Sequence, residues 1–136
     1  MFGNKNTKPS PIDSLIGAGS TITGDIHFTG GLRIDGCVKG NIRAVGEKPG
    51  TLVLSELAKV EGDIQVGHVV INGTVAGLVH ASQYLELLPK ARVTGDVTYK
   101  TIEIHVGAIV MGRMVHVDDN KLAEKVIELK SAGNAD

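Results

Sequence analysis

The chain has 136 residues, with 14 Lys and Arg against 15 Asp and Glu, and a net charge of −1. That balance lacks the basic stripe with stacking aromatics that nucleic acid binding needs. Two Phe, two Tyr and no Trp leave little aromatic lining for a globular pocket enzyme, and the single cysteine, Cys37, excludes an internal disulfide and fits a reducing compartment. No apolar run approaches the ~20 residues that span a bilayer, and Met1–Pro11 hold no signal-like hydrophobic stretch. The expectation is a cytoplasmic protein.

Residues 1–12 (MFGNKNTKPSPI) are polar, and Pro9 and Pro11 predict a flexible, extended tail held away from the folded region. Residues 13–118 then carry a repeated phrase: an aliphatic residue, any residue, glycine, usually a polar residue, then an aliphatic residue or methionine. It reads Ile22-Thr-Gly24-Asp-Ile26, Val38-Lys-Gly40-Asn-Ile42, Val60-Glu-Gly62-Asp-Ile64, Val75-Ala-Gly77-Leu-Val79, Val93-Thr-Gly95-Asp-Val97 and Val110-Met-Gly112-Arg-Met114. The glycines stand 16, 22, 15, 18 and 17 residues apart. Self-similarity at such a period marks a stacked fold.

Within the repeat, Ile22, Ile26, Leu32, Ile34, Val38 and Ile42 alternate with polar neighbours, as strands with one buried face do. Between the phrases lie further apolar pairs: Leu32/Ile34, Leu52/Leu54, Val69/Ile71, Leu85/Leu87 and Ile102/Ile104. Each repeat therefore holds about three short strands broken at Gly, Asn, Asp or Pro corners. Short strands turning the same way every 15 to 18 residues make a coil, each strand lying parallel on its counterpart one turn away. The expected fold is a parallel β-helix of about six coils with structural glycines at its corners.

The 22-residue spacing contains the polar insertion 43–50, expected to be a surface loop at a corner, with partner docking as the alternative. Residues 119–136 change to a Leu-, Ala-, Glu- and Lys-rich stretch, expected to form a short helix or tail.

Chemical motifs are absent. By alternation His27, His68, His80 and His105 point outward, and His116 falls beyond the regular pattern, so the histidines read as solvated surface groups rather than zinc ligands. The glycines form neither a dinucleotide fingerprint nor a phosphate-binding loop. Asp25, Asp63 and Asp96 are interrupted by Asn41 and Leu78 in their file, which leaves no carboxylate dyad. Cys37 has no visible activating base. No catalytic residue, cofactor site or metal site is expected. The enzyme alternative is a left-handed β-helix of the hexapeptide acyltransferase type, but Asn72 breaks the six-residue rule that Val60 and Val66 obey.

The repeated Val-x-Gly-Asp-Ile phrases, the segment Leu32-Arg-Ile-Asp-Gly36-Cys-Val38-Lys-Gly40 and the tail beginning Met1-Phe2 resemble bactofilins. The resemblance spans the repeat region and the tail. It implies a bacterial cytoskeletal protein with a right-handed β-helix, which polymerises without nucleotide into non-polar filaments. It further implies a peripheral location on the inner face of the cytoplasmic membrane, anionic lipid as a partner, and the positioning of cell-wall synthesis or hydrolysis proteins.

A β-helix leaves unpaired backbone groups and core residues at each terminal coil. Six coils rise only ~29 Å at ~4.8 Å each, so the ends are a large part of the particle. Self-association is expected through Ile102, Ile104, Ile109, Met114 and Val115 of the last coil, beside Val110, and through Ile16, Ile22, Ile26 and Phe28 of the first. The alternative is a small capped adaptor, in which Leu122, Val126 and Leu129 of the C-terminal helix cover the last coil. The resemblance also assigns membrane contact to Met1, Phe2, Lys5 and Lys8. Burying Phe2 gives ~2–3 kcal/mol and each lysine near anionic lipid ~1 kcal/mol. The total corresponds to roughly millimolar or sub-millimolar affinity, too weak for one chain but strong for many tails on one filament.

Overall fold

The computed structural model describes residues 9–117, and they form a parallel β-solenoid of six coils with three strand segments in each. The first coil contains β1 (Ile12–Ile16), β2 (Thr21–Thr23) and β3 (Ile26–Phe28). The second contains β4 (Gly31–Ile34), β5 (Cys37–Lys39) and β6 (Ile42–Ala44). The third holds β7 (Thr51–Leu54), β8 (Lys59–Glu61) and the first half of β9 (Ile64–Ile71). The fourth takes the second half of β9, β10 (Thr74–Ala76) and the start of β11 (Val79–Leu87). The fifth comprises the rest of β11, β12 (Arg92–Thr94) and β13 (Val97–Tyr99), and the sixth β14 (Ile102–Ile104), β15 (Ile109–Met111) and β16 (Met114–His116). All strand pairings are parallel.

The register turns the sequence phrases into stacked files. One inward file runs Ile22, Val38, Val60, Val75, Val93, Val110. A second runs Ile26, Ile42, Ile64, Val79, Val97, Met114. A third runs Ile16, Ile34, Leu54, Ile71, Leu87, Ile104. The middle four members of each file are buried and merge into one core. Burial of apolar area at ~25 cal/mol per Å² drives this stacking, because no coil can hide its inward face alone.

The repeat glycines permit the close approach. A Cβ on Gly40, Gly62, Gly77, Gly95 or Gly112 would collide with the carbonyl oxygen of the repeat glycine one coil below. The residue after each glycine adds a ladder that alternation alone does not reveal. The Asp25 carboxylate accepts from the Asn41 N–H (2.9 Å), the Asn41 amide oxygen from the Asp63 N–H (2.9 Å), and Asp63 from the Leu78 N–H (3.0 Å). Asp96 accepts from the Arg113 N–H at 3.0 Å. These side chains tie corners together, which accounts for their polarity better than simple exposure does.

The uneven coil lengths have a second source besides the 43–50 insertion. The corner after the first strand is either a four-residue turn, closed by Ala58 N–H to Ser55 O and Ala91 N–H to Leu88 O, or a short Asx-Gly pair, Asp35-Gly36 and Asn72-Gly73. The insertion returns to the wall at Pro49 and Gly50, whose carbonyls accept from Gly67 and His68 N–H groups.

Two expectations are corrected. His68 is buried (5 % exposed), not solvated. His68 precedes inward Val69 and stacks between Thr51 and Tyr84 on the outer side of the wall, where the segment at Pro9 and Ser10 lies against that file. The tail prolines do not hold the chain away from the solenoid. The Pro11 carbonyl packs where a Cβ on Gly31 would sit, the Ser10 N–H donates to Thr51 Oγ1 at 2.7 Å, and Pro9 borders a groove with His68, Tyr84, Lys100 and Thr101. Gly31 supplies the space and Thr51 the acceptor. The expected helix over 119–136, with Leu122, Val126 and Leu129, lies outside the described residues.

Candidate functional site: the two open ends of the solenoid

At both ends the inward files lose their cover. Ile34, Leu54, Ile71 and Leu87 are fully buried, whereas Ile104, the top of the same file, is 49 % exposed. In the second phrase file Val97 is fully buried and Met114, one coil on, is 38 % exposed. At the opposite end Ile22 is 36 % exposed although Val38 above it is fully buried. Ile16, Ile26, Phe28, Ile102 and Val110 are part-buried against the core.

The last coil also carries apolar residues in outward positions. Ile109 stacks on Arg92, and Val115 on Thr98. The expected C-terminal set therefore divides: Ile102, Ile104 and Met114 crown inward files, while Ile109 and Val115 lie on the outer wall at the same level. Val106 at the last corner is almost fully exposed, and Ile12 and Leu15 of the first coil are exposed as well. The sequence expectation for the two ends did not include these three residues.

Backbone groups show the same incompleteness. Each repeat glycine donates its N–H one coil upward: Gly24 to Lys39 O, Gly40 to Glu61 O, Gly62 to Ala76 O, Gly77 to Thr94 O and Gly95 to Met111 O. Gly112 is the next donor in the series, with no described coil above it. At the other end, a Cβ on Gly24 would meet nothing within 4 Å. Unpaired strand edges of this kind template the addition of further strands.

Charges near the ends are modest. The Arg113 backbone N–H, with its guanidinium 3.5 Å away, holds the Asp96 carboxyl below its ordinary value. Arg33 does the same for Asp35 through a 2.9 Å hydrogen bond, aided by Ser55. Cys37 is part-buried between the Thr21 and Lys59 positions. The described residues contain no helix long and apolar enough to cross a membrane. Met1, Phe2, Lys5 and Lys8 lie outside the described residues.

The model of the polymer-forming cytoskeletal Bactofilin family matches residues 14–115, the whole stack but for its margins. The chain is a bactofilin. Bactofilin BacO of Myxococcus xanthus (strain DK1622) is 35 % identical over 102 residues, covering 75 % of this chain and 78 % of that protein. A Thermus thermophilus bactofilin, solved by cryo-EM as double helical filaments, superposes with a TM-score of 0.64 at 27 % identity, covering 76 % of this chain and 99 % of that one. The family is a cytoskeletal, structural one, and the bactofilin fold seen in that filament is the solenoid described above.

Proposed function

We propose that this bactofilin polymerises end to end, without nucleotide, into non-polar filaments at the inner face of the cytoplasmic membrane, where it positions cell-wall synthesis or hydrolysis proteins. One observation carries the reading of self-association: the apolar core files run to both ends, so that each terminal coil leaves part of its inward surface exposed. Stacking a terminal coil on one from another subunit buries that surface and pairs the edge groups in one step. The outward Ile109 and Val115 would form the apolar rim of the junction at the C-terminal end, and Ile16, Ile22, Ile26 and Phe28 the contact at the other.

The attachment of the tail supports membrane contact without competition for the ends. Ser10 is held on Thr51 in the third coil, so the first described residues lie on the flank of the solenoid and not over its ends. Met1, Phe2, Lys5 and Lys8 could then face a lipid surface along the length of a filament. Cell-wall proteins would meet the remaining side walls.

Electron microscopy of the purified protein, in buffer free of nucleotide, tests the central claim. Filaments with no distinguishable polarity are expected. A uniformly small, folded species at high protein concentration would overturn the reading and favour a capped adaptor.

A further inference from the structure

Glu86 and Glu103 are direct neighbours on parallel strands β11 and β14, in consecutive coils. Like charges stacked at ~4.8 Å destabilise a sheet. The rest of this outward file, Leu15, Arg33, Val53 and Val70, contains no other acidic residue, so the repulsive pair is local to the last two coils.

His105 stands at the turn just beyond β14. Its Nε2 lies 2.8 Å from Glu86 Oε2 and 3.2 Å from Glu103 Oε2. All three candidate ligand atoms fall within 4.8 Å of one another. Tetrahedral zinc with bonds of ~2.0–2.1 Å keeps its ligand atoms about 3.3 Å apart, so two of the separations are already near what coordination requires. A neutral imidazole offers Nε2 as either one donor or one lone pair, so it cannot neutralise two carboxylates. A dication bound by both carboxylates and that lone pair would.

The surroundings suit such an ion. Tyr84 donates its hydroxyl to Glu103 Oε1 at 3.0 Å, leaving Oε2 toward His105. Hydrogen bonds of this kind orient ligating carboxylates. The Glu86 and His105 side chains are 24 % and 36 % exposed and that of Glu103 57 %, so the cluster opens to solvent on the Glu103 side. One imidazole and two carboxylates fit a zinc-class transition ion better than magnesium or calcium, which prefer all-oxygen shells.

We propose that Glu86, Glu103 and His105 form a binding site for a divalent transition-metal ion of the zinc class, fastening the sixth coil to the fifth beside the C-terminal end. Three protein ligands leave a coordination position for water. The bound ion cancels the Glu86–Glu103 repulsion and stiffens the coil whose inward files are exposed.

The test is calorimetric titration of the full, chelator-treated chain with zinc chloride, paired with thermal unfolding. One zinc per chain and a raised thermal midpoint are expected for wild type. Glu86→Gln and His105→Ala should each weaken binding at least ten-fold and lose the zinc-dependent shift, while His80→Ala, on another outer wall, should bind like wild type. Cobalt substitution should give the visible absorption of a low-symmetry site in wild type and not in His105→Ala. Circular dichroism of the metal-free variants guards against a folding defect, and metal-free Glu86→Gln should melt no lower than metal-free wild type because it relieves the like-charge pair. Wild-type affinity in His105→Ala, calcium or magnesium binding as tight as zinc, or a lower midpoint in metal-free Glu86→Gln would each overturn the site.

Discussion

A methyl group on Gly62 would lie less than 3.0 Å from the carbonyl oxygen of Gly40, whereas one on Gly24 would meet nothing within 4 Å. The same phrase position is thus crowded inside the stack and open at its first coil. The difference isolates what each glycine does.

Gly62→Ala should cost upward of about 3 kcal/mol, because relief requires two adjacent coils to separate. Gly24→Ala meets only the strain of its left-handed backbone (φ +125), on the order of 1–3 kcal/mol. Denaturant unfolding under non-polymerising conditions should rank them in that order. The reverse order would mean that the coils slide apart more easily than the glycine contacts imply. If a second subunit stacks on the first coil, Gly24→Ala should in addition impair assembly.

Asp96 predicts an acid-sensitive last coil. Its carboxyl accepts from the Arg113 N–H and titrates below its ordinary value of 3.8. A folded value below the unfolded one gives stabilisation that is complete above the ordinary value and fades as pH falls through the lowered one. Hydrogen exchange of amides in β16 should therefore accelerate below about pH 4, and Asp96→Asn should flatten that dependence. Because the group is exposed, the effect belongs to local opening rather than global unfolding. An unchanged pH profile in Asp96→Asn would remove the role assigned to this pair.

Charge at the exposed top of a core file should block assembly and leave the fold intact. Ile104→Arg is the direct test, since Ile104 crowns the file of Ile34, Leu54, Ile71 and Leu87 and is half exposed. An arginine caught in a dehydrated junction has no partner, a cost of several kcal/mol. Sedimentation velocity should show a small folded species. Val115→Arg should weaken assembly less, because Val115 stacks on Thr98 in the outer wall. Equal filaments in wild type and Ile104→Arg would move the contact to the side walls.

The glycine phrases and the alternation made the stack legible: an expected β-helix over 13–118 compares with strands from Ile12 to His116. What alternation could not deliver is anything set by the corners. Alternation gives direction, not cover: His68 reads as solvated and is buried, because the segment at Pro9 and Ser10 lies against the file it shares with Thr51 and Tyr84. The Asp25–Asn41–Asp63 ladder was hidden because an Asx accepting from the next coil looks, in sequence, like any exposed polar residue. Glu86 and Glu103 lie between the apolar pairs Leu85/Leu87 and Ile102/Ile104, so their stacking follows from the pairs, whereas the turn that brings His105 onto both carboxylates has no counterpart in the spacing. The ends were partly legible. Ile104 and Met114 follow from the phrase and the apolar pair, whereas Val106 sits at a turn tip outside both.

Membrane binding should require the polymer, and the attachment of Ser10 to Thr51 sharpens the test. The tail residues Met1, Phe2, Lys5 and Lys8 sum to ~4–5 kcal/mol at most, a marginal affinity for one chain. Many tails on one filament act together, so the filament binds where the monomer does not. Wild-type filaments should pellet with anionic vesicles, and less at high salt, since screening weakens the lysine contribution. Deleting residues 2–8 should abolish vesicle binding and leave filaments, because the Ser10 anchor and both ends remain. Ile104→Arg should lose vesicle binding despite an intact tail. Vesicle binding by the tail-deleted filament would place the lipid contact on the solenoid wall. Binding by Ile104→Arg equal to that of wild type would show a lipid site in the single chain stronger than four tail residues can provide.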